Sequence, residues 1–129
     1  MALSKKDKKL IELAKRISYQ SDFVQKHGAV LSKGSTVITT AFNKNKFNSF
    51  AMRFRKDNPK HATIHAELGA ILNVDRKSTE GATVYVVRTN KQQNCRLSKP
   101  CQMCEAAMRW VGIKKVIYST NDGFEEIRL

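Results

Sequence analysis

Cysteines are scarce in this sequence, and their number argues against a disulfide-stabilised secreted protein. The 129 residues include three cysteines, so they cannot all pair with one another. A chain of this length buries enough apolar surface to fold without covalent cross-links. We therefore expect a cytoplasmic protein in a reducing compartment.

Long apolar runs are absent as well. No stretch approaches the roughly 20 apolar residues that a membrane-spanning helix needs. The N-terminal segment MALSKKDKKLIELAKRI also lacks the continuous apolar core of a secretory signal. These absences predict no membrane association, and the chain length predicts a single domain over residues 1–129.

Acidic residues are few, and the chain is strongly basic as a result. Eleven aspartates and glutamates face 24 lysines and arginines, which gives a net charge of +13. Such a surface attracts polyanions and phosphate-bearing small molecules. In residues 42–60, basic side chains are interleaved with phenylalanines that could stack on bases. Single-stranded nucleic acid is therefore a candidate partner, and an exposed basic loop with its phenylalanines in the core explains the segment equally well.

Hydrophobic periodicity predicts the element order α-β-β-α-β-α-β-β. A Ser4-x-x-Asp7 pattern suits the start of the first helix, and Gly112 is placed to end the third. The predicted elements are a helix at 5–20, strands at 28–32 and 36–42, an irregular stretch at 43–60, a helix from His65, a strand at 81–89, a helix at 101–111 and strands at 114–120 and 124–129. This order indicates a three-layer α/β fold, with helices on both faces of a single mixed five-stranded sheet. The Asn-Asp-Gly turn at 121–123 predicts a hairpin, so the last strand is expected to be antiparallel to its neighbour.

Two of the cysteines form a Cys-x-x-Cys pair at a predicted helix start. Cys101 and Cys104 follow Pro100, so both sulfurs lie on one side of the first turn, where the helix N-terminus favours thiolates. His65 begins the preceding helix and offers a third ligand. Zinc held by one histidine and two cysteines keeps a position for water and lowers its pKa toward 7. Glu67, two residues after His65, is then placed to accept the proton of that water.

Other interpretations of the cysteine pair remain open. The two cysteines could form a redox pair, but that interpretation does not explain the upstream His-Ala-Glu. A structural zinc site needs a fourth ligand, for which Cys95 or His61 is available. We predict that Trp110, Met108 and Val111 pack the third helix rather than contact substrate, and that His27 is structural or lines the pocket wall.

The segments HAE at 65–67 and PCQMC at 100–104 together match the H-x-E…P-C-x-x-C signature of zinc nucleobase deaminases. Over roughly residues 25–120, the chain resembles the cytidine and deoxycytidylate deaminase superfamily in the order of its segments. The resemblance implies that His65, Cys101 and Cys104 hold Zn²⁺. It also implies that Glu67 carries protons during the hydrolytic conversion of cytosine to uracil in a nucleoside or nucleotide, with release of ammonia.

The resemblance extends to substrate contacts. It implies that Asn43 touches the sugar or base, that the backbone amide of Ala66 approaches the pyrimidine carbonyl, and that Pro100 belongs to the same pocket. Lys99 stands where relatives often carry Ser or Glu, so a single-stranded polynucleotide cytidine deaminase or a tRNA adenosine deaminase remains an alternative. A non-catalytic, zinc-stabilised nucleic-acid-binding module is the alternative of another class. By analogy with relatives, we expect a homo-oligomer.

Overall fold

The computed structural model describes residues 3–23, 25–47, 63–72 and 74–129. Most of the basic segment at 42–60, and His61, therefore lie outside the described residues. The described elements are α1 (Lys5–Ser18), β1 (Lys26–Lys33), β2 (Thr36–Phe42), β3 (Lys44–Phe47), β4 (Thr63–Ile64), α2 (Ala66–Ile71), α3 (Arg76–Thr79), β5 (Thr83–Thr89), β6 (Cys95–Arg96), α4 (Gln102–Trp110), β7 (Lys115–Ser119) and β8 (Phe124–Arg128).

The main sheet is mixed and has the strand order β2-β1-β5-β7-β8, with β6 paired to β5 as a sixth strand. The central pair β5–β7 is parallel, and all other pairs are antiparallel, including the final hairpin β7–β8. The five strands of the main path are those that the sequence predicts. The short β6 is an addition, and so is a two-stranded sheet of β3 and β4, which puts a strand inside the stretch predicted as irregular.

Helices cover both faces of the main sheet, because its central strands are buried on both sides. In β5, Val84 and Val86 join the cluster that contains α2 and α4, whereas Tyr85 and Val87 join the cluster that contains α1. This alternation follows from the two-residue period of a strand. The predicted three-layer arrangement is confirmed.

Helix α1 begins at the predicted cap. Ser4 Oγ accepts a hydrogen bond from the Asp7 N–H at 3.0 Å, and Asp7 Oδ2 accepts one from the Ser4 N–H at 3.1 Å. The helix crosses β1 at Gly28, where a Cβ would collide with the Ala14 carbonyl oxygen. It ends at Ser18, two residues before the predicted end. Gly28 thus allows the helix to lie close against the sheet.

Helix α4 ends as predicted, with Gly112 just beyond it at a φ of +86°. Met103, Cys104, Ala107 and Met108 are buried on its inner face. The prediction for Trp110 is wrong: this last helical residue is 60% exposed. Among the described helices, none is long and apolar enough to cross a bilayer.

Candidate active site

Two helix starts meet on the same face of the sheet and bring the predicted ligands together. His65 is the N-cap residue of α2, and Cys101 is the N-cap residue of α4. The Cys101 Sγ accepts a hydrogen bond from the Cys104 N–H at 3.5 Å, which holds both sulfurs at the first turn of α4. The elements thus place an imidazole and two thiols at one point, although 36 residues of chain separate His65 from Cys101.

The geometry of these three side chains fits a tetrahedral zinc site. His65 Nδ1 lies 3.2 Å from Cys104 Sγ and 3.7 Å from Cys101 Sγ, and the three ligand atoms all lie within 4.8 Å of one another. Zn–N and Zn–S bonds of ordinary length at a tetrahedral angle separate the ligand atoms by about 3.5–3.8 Å. The triad can therefore hold a zinc ion without rearranging the helices.

Contact between the two cysteines shifts their pKa values in opposite directions. The hydrogen bond with Cys104 lowers the pKa of Cys101 to about 4 against the opposing effect of burial, and His65 adds to the lowering. The same hydrogen bond, together with burial, raises the pKa of Cys104 well above its usual range. A metal ion that binds both sulfurs requires both as thiolates, so metal binding releases protons from this pair.

Glu67 lies in the first turn of α2 and is 4% exposed. Burial raises the pKa of its carboxyl, while the charge of His65 and its own backbone amide act in the opposite direction. The carboxyl interacts with Cys104. Glu67 is therefore beside the metal ligands without belonging to the group that can hold the ion.

The predicted substrate-binding residues differ in burial. Ala66 is fully buried at the start of α2, and Pro100 is buried directly before Cys101. Asn43 is half-buried, and its side-chain amide is anchored to β1: Oδ1 accepts from the His27 N–H and Nδ2 donates to the Gln25 carbonyl, both at 3.0 Å. Each polar atom of this amide keeps capacity for one further hydrogen bond.

A buried pair of serines, which no sequence motif marks, holds the loop before Cys101 in place. Ser98 Oγ donates to the Val86 carbonyl at 2.9 Å and accepts from the Ser119 N–H at 2.9 Å. Ser119 Oγ donates to the Arg96 carbonyl at 2.6 Å. These bonds tie the approach to α4 to the ends of β5 and β7, and so determine where Cys101 begins its helix.

Among the described residues, the other candidate ligand does not join the triad. Cys95 packs with the α1-side cluster, on the face of the sheet opposite Cys104, and His61 is outside the described residues. His27 lies near enough to the site to interact electrostatically with His65 and Cys101. Burial, and then the charges of Arg88 and His65, lower its pKa to about 4, so its imidazole is neutral at neutral pH.

Comparisons with known proteins agree with this geometry. The family model for the cytidine and deoxycytidylate deaminase zinc-binding region matches residues 4–120. Comparison with curated proteins gives no significant match. The family match spans His65, Glu67, Cys101 and Cys104.

Two solved structures of a phage enzyme share the fold. The dCMP deaminase of cyanophage S-TIM5 in its apo form superposes with a TM-score of 0.62 and 22% identity, over 92% of this chain and 84% of that one. The structure of the same enzyme in complex with dCMP and dUMP superposes with a TM-score of 0.61 and 20% identity, over 91% of this chain and 83% of that one. RibD of Acinetobacter baumannii, form 1, gives a TM-score of 0.47 and 26% identity, over 86% of this chain and 26% of that one. On the family match, the chain belongs to the zinc-binding cytidine and deoxycytidylate deaminase family.

Proposed function

We propose that this protein hydrolyses the exocyclic C–N bond of cytosine in a free (deoxy)cytidine nucleoside or nucleotide. One water molecule is consumed: its oxygen forms the new bond at C4, and the amine leaves as ammonia, so that cytosine becomes uracil. Family membership supports the reaction type. The single observation that carries the proposal is the buried Glu67 carboxyl beside a His/Cys/Cys triad spaced for one metal ion.

Each residue has a defined task in this reaction. His65, Cys101 and Cys104 hold Zn²⁺, which supplies Lewis-acid activation of the attacking water when bound. Glu67 accepts the proton of that water and delivers protons first to the ring nitrogen N3 and then to the departing amine. Asn43 and the Ala66 backbone orient the nucleoside, and Pro100 forms part of the pocket wall.

A free nucleoside or nucleotide is the substrate class that the fold comparison favours, since the similar phage enzyme is a dCMP deaminase crystallised with dCMP and dUMP. The net charge of +13 favours a polynucleotide instead. We propose a free nucleoside or nucleotide as the substrate, because charge spread over a surface attracts phosphate without defining a binding site.

Replacement of the proposed proton carrier tests the chemistry. We expect Glu67→Gln to retain one zinc per chain and to lower turnover by about 10²- to 10⁴-fold, the contribution typical of general acid–base catalysis. Zinc content is measured by atomic emission, and ammonia release by a coupled assay. The exposed Glu80→Gln is the matched control and keeps wild-type turnover. A Glu67→Gln protein that deaminates at the wild-type rate contradicts the proposal.

A panel of substrates tests whether the protein acts on free nucleosides and nucleotides or on polynucleotides. Cytidine, deoxycytidine, CMP, dCMP, tRNA and single-stranded DNA are offered side by side to the zinc-loaded protein, and products are identified by mass spectrometry. We expect uracil products from monomers. Conversion confined to polynucleotides, or inosine in tRNA, overturns the choice of substrate while leaving the zinc chemistry in place.

A further inference from the structure

Two arginines and one neutral histidine form a row across neighbouring strands at the end of the sheet that carries the site. Arg88 of β5 is the register partner of His27 on β1 and of Arg96 on β6. Directly opposed residues of antiparallel strands project from the same face, with Cβ atoms about 5 Å apart. The row therefore places two guanidinium groups and one imidazole side by side.

The row lies on the face of the sheet that carries the metal ligands. Val84 and Val86 of β5 pack into the α2/α4 cluster that contains Cys104. Arg88 lies two residues after Val86, so its side chain projects from the same face of the sheet. The neighbouring residue Thr89 points the other way, because its hydroxyl lies 2.7 Å from that of Ser18 on α1. Arg88 accordingly extends on the side of α2 and α4, where the helices present the triad.

No acidic residue neutralises this row within the described parts of the chain. Neither Arg88 nor Arg96 is in an ion pair there, and like charges placed directly opposite each other destabilise a sheet. Arg88 donates one Nη1 hydrogen bond, at 3.3 Å, to the Leu97 carbonyl. Its Nε is buried without a hydrogen-bond partner in the described residues. A buried donor left in this state is expected where a ligand completes the contacts.

The row is also close to residues that face the nucleoside. Asn43, the proposed sugar or base contact, binds the backbone N–H of His27. His27 interacts electrostatically with both His65 and Cys101. Arg88, which also interacts with His27, is thus a cation near which an anionic group attached to the sugar of a nucleoside bound at the triad can lie.

We propose that Arg88, flanked by Arg96 and His27, binds the 5′-phosphate of the substrate and makes this enzyme specific for nucleoside monophosphates. The inference rests on the proposed function and narrows its substrate class. A guanidinium fork matches two phosphate oxygens at once, which a lysine cannot do. Bound phosphate also removes the repulsion between the two arginines, so the row is stabilised in the complex.

The test compares a phosphorylated and an unphosphorylated substrate in the zinc-loaded full chain. We expect Arg88→Ala to raise the KM for dCMP by about 10- to 100-fold, the loss that one charged hydrogen-bonding group typically causes. For deoxycytidine, kcat/KM stays within about twofold, because the missing contact is made only with phosphate. Arg88→Lys recovers part of the affinity. The exposed Arg16→Ala, which removes the same charge from α1, leaves both substrates unaffected.

Calorimetric titration with dUMP and deoxyuridine gives a second readout that needs no turnover. Arg88→Ala weakens dUMP binding by the same factor and leaves deoxyuridine binding unchanged. An equal loss for both ligands, or no loss for dUMP, overturns the inference. If the wild-type protein converts no monomer at all, the proposed function fails, and the dUMP titration alone then decides whether Arg88 binds phosphate.

Discussion

Asp7 connects the first turn of α1 to the centre of the sheet. Its carboxylate accepts the Ser4 N–H through Oδ2 at 3.1 Å and the Tyr85 hydroxyl through Oδ1 at 2.7 Å. Burial raises the pKa of Asp7, but the hydrogen bonds from Tyr85 and Ser4 outweigh it and hold the pKa below its usual value. A carboxyl whose pKa is lowered by folding stabilises the protein above its unfolded pKa.

Asp7→Asn therefore lowers the free energy of unfolding, and the effect depends on pH. We expect a loss of about 1 kcal/mol at pH 7, the usual contribution of a helix cap. The difference from wild type shrinks as the pH falls through the folded pKa of Asp7, where the wild-type carboxyl itself becomes protonated. Urea unfolding between pH 2.5 and 7 measures this. Glu12→Gln, which removes an exposed charge from the same helix, serves as the control, and an Asp7→Asn effect equal at all pH values would argue against the pKa assignment.

The loop that leads into α4 is held by hydrogen bonds between neighbouring strands rather than by apolar packing. Ser98 is buried and supplies the oxygen that both donates to Val86 and accepts from Ser119. Removal of the Ser98 hydroxyl takes this hydrogen-bond partner away from the Ser119 N–H and from the Val86 carbonyl. Because Ser98 lies three residues before Cys101, the lost contacts loosen one of the two helix starts that form the metal triad.

We expect Ser98→Ala to lower the free energy of unfolding by about 1–3 kcal/mol and to weaken zinc binding by about tenfold. Denaturant titration measures the first quantity, and competition with a chromophoric chelator measures the second. Ser35→Ala, in the exposed turn between β1 and β2, is the matched control and changes neither. Zinc affinity that stays at the wild-type level in folded Ser98→Ala would show that the loop does not position Cys101.

Length and periodicity explain which elements the sequence could predict. Helix α1 and strand β5 were placed within about two residues, since each repeats its apolar positions several times. The two residues of β6 and the four of α3 are too short to show a period. Trp110 sits at helical spacing from Met103, but spacing gives only the side of the helix and not whether neighbours cover its end.

The site was predictable where its chemistry is local in the sequence. His-x-Glu and Cys-x-x-Cys each place two groups by spacing alone, and the structure brings His65, Cys101 and Cys104 together. The row around Arg88 was not predictable in this way. A strand buried on both faces shows no polar alternation, and the pairing of Arg88 with His27 depends on a register between strands about 60 residues apart.

Zinc at the triad would add a link between two helices that already pack against each other and against the sheet. Any ligand that binds only the folded state stabilises it in proportion to the logarithm of its free concentration. With free zinc about a thousandfold above its Kd, the melting temperature of a domain of this size rises by about 10 °C or more. Chelation reverses the rise, and readdition of zinc restores it.

Two cysteine variants distinguish a zinc site with three protein ligands and a position for water from a site with four protein ligands. Cys104→Ser removes a ligand, so we expect its melting temperature to be insensitive to zinc and chelator. Cys95→Ser should respond like the wild type, because Cys95 packs on the α1 side of the sheet, away from the triad. Differential scanning calorimetry with and without chelator measures both. A Cys95→Ser protein that no longer responds to zinc would mean that four protein ligands enclose the ion, which leaves no position for water and no hydrolytic reaction.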